Sequence, residues 1–268
     1  MKQKITKLFR ALVLLFKHPW LLNNIINDRE LYKKKVVKTY QLDRGLPLLN
    51  LSTLFQDFKE EVMPFAFLDG GSLPIDIALL KALAIKFNVK DYFEIGTWRG
   101  ESAANVASVV DRCVTMYLPD ETMKNMSQTQ NYIRSHGLFS KKIDNITHIQ
   151  GDSQFFDFGP YYHKCDMVFV DGDHHYESVK KDTATAFRLI KGDSSVIVWH
   201  DYAVSPETIR WDVLMGILDG CPPSKRNNLY HIGNTLCAAY IDGPFVKNYL
   251  EPCALNIKPF SVTIELQK

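Results

Sequence analysis

From Tyr92 to Trp199 the chain repeats one pattern, a short apolar run followed by a segment of helical periodicity. The apolar runs are Tyr92–Ile95, Cys113–Tyr117, Ile146–Gln150, Met167–Val170 and Ser195–Trp199. Helices are expected near 101–110, 120–136, 176–191 and 206–219. Parallel neighbours need a crossover between them, so strands alternating with helices predict a mostly parallel sheet covered on both faces. A further helix should precede the first strand. It follows the polar turn Asp69-Gly-Gly-Ser72, carries Pro74 in its first turn and runs through Ile75, Ile77, Leu79, Leu80, Leu83 and Ala84. The end of the chain differs: 228–232 and 235–241 flank Gly233-Asn234, the signature of an antiparallel hairpin. The expected architecture is α/β, a doubly wound sheet of seven strands, parallel except for that C-terminal hairpin.

Composition sets outer limits. A hydrophobic fraction of 46% and a charged fraction of 23% are ordinary for a globular chain of 268 residues. A net charge of +2 offers no broad basic footprint, so nucleic acid is not an expected partner. Cys113, Cys165, Cys221, Cys237 and Cys253 are odd in number and widely spaced, which fits reduced thiols in a cytoplasmic protein.

Near the start, Ile5, Leu8, Phe9, Leu12, Val13 and Phe16 fall on one helical face, with Lys7, Arg10 and Lys17 on the other. The apolar stretch is too short to span a bilayer and lacks a small-residue cleavage site, so neither a transmembrane helix nor a secretory signal is expected. Two roles stay open for residues 5–17: packing on the main domain or on a second copy in a homo-oligomer, and peripheral contact with a membrane. Domain boundaries are expected at 1–68 for a helical extension and 69–268 for the α/β domain.

In an open parallel sheet, ligands bind beyond the carboxyl ends of the strands where strand order reverses. The first strand ends in Glu94-Ile-Gly96-Thr97-Trp98-Arg99-Gly100, and a small-residue helix start, Glu101-Ser102-Ala-Ala, follows. Glycine at 96 and 100 lets backbone approach a ligand and a helix pack closely on its strand. The dinucleotide fingerprint would need glycine at Trp98. Later strands end in Gln150-Gly-Asp152-Ser153, in Asp171-Gly-Asp173-His174-His175-Tyr176, and in Trp199-His200-Asp201-Tyr202. Carboxylates and imidazoles delivered at the ends of apolar strands are costly unless used or solvated. Adjacent strands should bring Asp171, His174, His200 and Asp201 to one rim.

The turn resembles motif I of the class I methyltransferases, which use S-adenosylmethionine (SAM). The later strand ends resemble the small-molecule and sugar O-methyltransferases, the methyltransferase domain 24 type, over roughly residues 70–242. The resemblance implies that Glu94 faces the methionine end of SAM, with Ser72, Gly96, Thr97, Trp98, Gly100 and Ser102 around it. It puts Tyr117 where relatives carry the ribose-binding acid, with Asp120 able to reach back. It places Asp152 and Ser153 at the adenine edge and Asp171 against the cofactor. It further implies His174 as the base that takes the acceptor's proton, together with Asp171, and a divalent ion, Mg²⁺ or another, on Asp171, His200 and Asp201. Asp173 is expected to cap the helix that starts near Tyr176. The implied reaction is methyl transfer to a hydroxyl of a small molecule, a sugar or glycan unit among the candidates. Two other readings stay open: a non-catalytic SAM-fold binding protein, motivated by Tyr117, and a nicotinamide-dependent oxidoreductase, disfavoured by Trp98 and the hairpin.

Overall fold

The computed structural model describes residues 2–19, 22, 28–68, 70–249 and 259–266. Asp69 of the polar turn and Cys253 lie outside them. Contacts divide the chain into Met1–Asp43 and Arg44–Lys268, whereas the sequence reading drew its boundary after residue 68. The first unit holds two helices, α1 (Lys2–Lys17) and α2 (Asp28–Tyr40). Among the described residues, no helix is long and apolar enough to cross a membrane.

The second unit opens with β1 (Leu48–Leu49), α3 (Leu51–Leu54) and α4 (Pro74–Lys86). The expected alternation follows: β2 (Asp91–Ile95), α5 (Glu101–Ala107), β3 (Arg112–Tyr117), α6 (Asp120–Asn125), α7 (Gln130–Ser135), β4 (Ile146–Gln150), β5 (Met167–Val170), α8 (Tyr176–Leu189) and β6 (Val196–Trp199). The unit closes with β7 (Ala203–Ser205), β8 (Thr208–Ile209), α9 (Trp211–Gly220), β9 (Leu229–Ile232) and β10 (Ala238–Tyr240). The sheet order is β1-β9-β10-β6-β5-β2-β3-β4, with β7 and β8 forming a separate hairpin. Strands β2 to β6 run parallel, and β10 is antiparallel to both β6 and β9. Strand order reverses between β2 and β5, and a ligand is expected beyond their carboxyl ends.

Three local expectations are corrected. Among the described residues the sheet has eight strands rather than seven, because Leu48–Leu49 adds a parallel edge to β9. The single helix expected over 120–136 is two: Ser127 takes φ +61° and breaks the ladder, and Thr129 caps the second piece by accepting from the Tyr132 N–H. The helix expected from 206 starts at Trp211, because 203–209 form the β7–β8 hairpin.

On one face of the sheet, Leu79, Leu80 and Leu83 of α4 and Val106 of α5 pack with Tyr92, Phe169, Val198 and Tyr230. Side chains alternate along a strand, so buried Phe93, Val168 and Ile197 serve the other face, where α8 packs against β5 and α9. Each such side chain contributes about 1.5–3 kcal/mol on burial. That packing fixes the strand ends, and with them the loops that carry the polar residues.

Candidate active site

At the reversal point the two loops touch. Gly96 has φ +110°, and a Cβ there would lie 2.0 Å from the Asp171 carbonyl oxygen. Gly100 has φ +83°, and a Cβ there would lie 2.1 Å from Ser140 Oγ. Both glycines of the turn are therefore required by close approach within the protein. The Gly96 and Thr97 N–H groups both donate to the Met116 carbonyl, at 3.0 and 2.8 Å. The Thr97 hydroxyl bonds the Thr115 hydroxyl and donates to the same carbonyl. The turn is thus pinned to the end of β3.

Glu94 is fully buried. Tyr92 Oη donates to its Oε2 at 2.9 Å and Thr115 Oγ1 to its Oε1 at 2.7 Å, and the Ser102 hydroxyl bonds it as well. Burial raises its pKa to about 7, against the opposing effect of the three hydroxyls. Trp98 stacks on Tyr132 at 4.4 Å and meets His136 edge-on. Its indole Nε1 is buried without a hydrogen-bond partner among the described residues. Ser72 is half-buried beside Gly71, whose would-be Cβ faces Arg99 and Glu101. Arg99 Nη2 donates to the Leu68 carbonyl, Glu101 accepts from Ala66 N–H, and Asn105 binds both Met63 N–H and the Pro64 carbonyl. These bonds hold the 63–68 segment over α5 beside the glycine turn.

At the ends of β3 and β4, Gln150 Nε2 donates to Tyr117 Oη and to Asp120 Oδ1, each at 3.3 Å. The Tyr117 ring stacks on His136. Gln150 sits opposite Tyr117 in the parallel register and joins the two residues expected near the ribose. Asp152 Oδ1 accepts from Gln154 N–H two residues on, a local turn. Ser153 and Gln154 bond Asp182 of α8, whose pKa burial raises to about 7.

The rim expected at the ends of β5 and β6 is assembled. Asp171, Asp173, His174, His200 and Asp201 line a pocket of about 10 Å³, walled by Val179, Trp199 and Val213. His200 joins three carboxylates, with Nδ1 3.0 Å from Asp171 Oδ1 and 3.7 Å from Asp201 Oδ2, and Nε2 3.2 Å from Asp76 Oδ2. Burial penalises a charged imidazole, yet the Asp171 charge and hydrogen bond, with those of Asp201 and Asp76, hold His200 well above the usual histidine range. Asp201 takes φ +56°, which turns its carboxylate back toward His200 and to 3.6 Å from Arg210 Nη2. Although burial opposes it, His200 and Arg210 lower the Asp201 pKa.

Asp76 escaped the sequence reading. It is fully buried and accepts from Leu73 N–H and Leu236 N–H, both at 2.9 Å, as well as from His200. One carboxylate therefore ties the start of α4, the C-terminal hairpin and the rim together. The available signal was an acid at the third helical position of an otherwise apolar buried helix. Asp173 is not the N-cap of α8. His175 holds that position without a side-chain cap, while Asp173 bonds the His175 ring and the Ser178 hydroxyl. His174 is exposed and stacks on His175.

Asp171, His200 and Asp201 each offer a ligand atom, all within 4.8 Å of one another. The donor set fits a divalent cation when His200 is neutral and its Nε2–H faces Asp76, the arrangement in which a carboxylate orients a metal-bound imidazole. Two carboxylates and an imidazole suit a transition ion better than Mg²⁺, which prefers oxygen alone.

Residues 93–202 match a family model described as a methyltransferase domain. No curated protein matches the chain. Among solved structures, an O-methyltransferase from Bacillus cereus in complex with SAH is 16% identical at a TM-score of 0.45, covering 65% of this chain and 84% of that one. An O-methyltransferase from Streptomyces achromogenes in complex with SAM is 18% identical at 0.44, covering 65% and 83%. An SAH-bound methyltransferase from Podospora anserina is 16% identical at 0.39, covering 58% and 70%. These likenesses are loose, and the finding that stands is the family match: residues 93–202, from β2 through the end of β6, are similar to a methyltransferase domain.

Proposed function

We propose that the chain transfers the SAM methyl group to a hydroxyl oxygen of a small hydroxylated acceptor, with a sugar or glycan unit as the favoured class. The observation that carries this reading is the convergence of Asp171, His174, His200 and Asp201 on one pocket at the point where the glycine turn meets Asp171. The sulfonium already activates the methyl, so the protein must align the acceptor oxygen and remove its proton. The new O–CH₃ bond forms as the S–CH₃ bond breaks, leaving neutral SAH, and the hydroxyl proton passes to His174. As an exposed imidazole at the pocket mouth, His174 can return that proton to solvent. His200, held between Asp76 and Asp171, keeps the two carboxylates apart and fixed. A divalent ion on Asp171, His200 and Asp201 would supply acidification of an aliphatic alcohol.

His174→Ala is expected to lower turnover by roughly 10²- to 10⁴-fold while leaving SAM affinity within about twofold by calorimetry. The assay is a product about 14 Da heavier than the acceptor, one added CH₂, in a screen of sugars, polyols and phenols. Near-normal turnover in the variant removes His174 as the base, and no heat with millimolar SAM overturns the enzyme reading.

A further inference from the structure

The first unit carries a feature that the reaction does not use. Ile5, Leu8, Phe9, Leu12, Val13 and Phe16 share one face of α1, and all are exposed, Phe9 at 66% and Phe16 at 88%. An uncovered row of large apolar side chains marks an interaction surface. The helix contains Lys2, Lys4, Lys7, Arg10 and Lys17 and no acidic residue. Residues 1–43 hold ten Lys and Arg against three Asp and Glu, with Lys33, Lys34, Lys35 and Lys38 clustered in α2. Residues 44–268 hold 22 against 27. The near-neutral total thus conceals a basic first unit and an acidic second one.

We infer that α1 docks flat on an anionic lipid surface, its apolar face in the headgroup boundary and its basic residues among the lipid phosphates and carboxylates. Sixteen residues make a helix roughly 24 Å long, short of the roughly 30 Å hydrocarbon core, so the helix lies on the bilayer and does not span it. Charge selects lipid over a second copy of this chain. Two α1 helices pairing by their apolar faces would cover the apolar row but leave the basic residues of both with no acid in either helix to meet them. An anionic surface complements them instead. The docking stands apart from the methyl-transfer reaction and does not depend on it.

Full-length protein sedimented with vesicles gives the test. Binding to phosphatidylcholine vesicles containing about 30% phosphatidylserine should exceed binding to phosphatidylcholine alone by at least ~10-fold, and should fall by a similar factor at 0.5 M salt. Phe9→Glu with Leu12→Glu, and separately Lys4→Gln with Lys7→Gln and Arg10→Gln, should each lose at least ~10-fold with SAM binding and far-ultraviolet spectrum unchanged. Equal binding by the variants, or none by the parent chain to the charged vesicles, overturns the inference. A dimer that Phe9→Glu with Leu12→Glu dissolves, with no vesicle binding, assigns the face to a second copy and likewise overturns it.

Discussion

Glu94 and Asp76 are both fully buried carboxylates of the same sheet system, and they are held in opposite ways. Glu94 is surrounded by the hydroxyls of Tyr92, Thr115 and Ser102. Asp76 meets two backbone amides and the His200 imidazole, which Asp171 and Asp201 flank from the other side. Neutral donors offset only part of the cost of burying a charge, so Glu94 is pushed up to about 7. Asp76 instead receives directed bonds from two backbone amides and the His200 ring, which fix its position. The glycine-turn side of the site is therefore close to neutral, and the β5–β6 rim is where charge is concentrated.

The contrast predicts its largest effect at Asp76. Asp76→Ala strands Leu73 N–H, Leu236 N–H and one side of a buried imidazole, and should destabilise the fold by about 3–5 kcal/mol. Urea unfolding measures this directly, and a loss below ~1 kcal/mol would show that the rim does not depend on its buried acid. Asp76→Asn keeps the shape but places an amide N–H where two donors already converge. With the Nε2 acceptor gone, the ring keeps its proton on Nδ1, facing Asp171, and that tautomer has no Nδ1 lone pair for a metal. Mn²⁺ binding by equilibrium dialysis should therefore weaken by at least ~10-fold in Asp76→Asn, an outcome a purely structural role would not give.

Glu94 predicts a smaller effect of a different kind. Its folded pKa lies above the ordinary carboxylate value, so its contribution is fully present below about pH 4.5 and is lost as pH rises through about 7. The shift corresponds to about 3 kcal/mol over that interval. Asp182, raised to about 7 from 3.8, acts in the same direction. Glu94→Gln should flatten part of the fall in stability between pH 5 and 7, and Asp182→Asn a further part. An unchanged pH slope in Glu94→Gln would mean that its hydroxyl shell stabilises the carboxylate far better than the geometry indicates.

The same contrast explains what could be read from sequence. The central strands β5 and β6 were legible because uninterrupted apolar runs buried on both faces leave few alternatives, and the loops at the strand ends followed from parallel order. Asp171, His174, His200 and Asp201 reached one pocket for that reason alone. Asp76 did not declare itself, because an acid in the first turn of a helix is ordinary and its partner lies 124 residues away. The edge strand Leu48–Leu49 was missed because two residues carry no periodicity. The turn's amides and the Thr97 hydroxyl were expected around the cofactor, but a linear motif does not reveal that Met116 and Thr115 already engage them.

The smallest expected effect tests the neutral side at its edge. Tyr117 Oη accepts from Gln150 at 3.3 Å, a long bond at an exposed strand end, so Tyr117→Phe should cost less than ~1 kcal/mol of stability. The ring stays stacked on His136 in the variant, so the local shape is preserved. SAM affinity then separates two roles. If Gln150 and Asp120 supply the ribose contacts and Tyr117 only supports Gln150, calorimetry should show a loss of no more than ~5-fold, about one weak hydrogen bond. Gln150→Leu should then weaken SAM binding more than Tyr117→Phe does, because it removes the donor that both Tyr117 and Asp120 share. The reverse order would assign the ribose contact to the tyrosine hydroxyl itself and place Gln150 behind it.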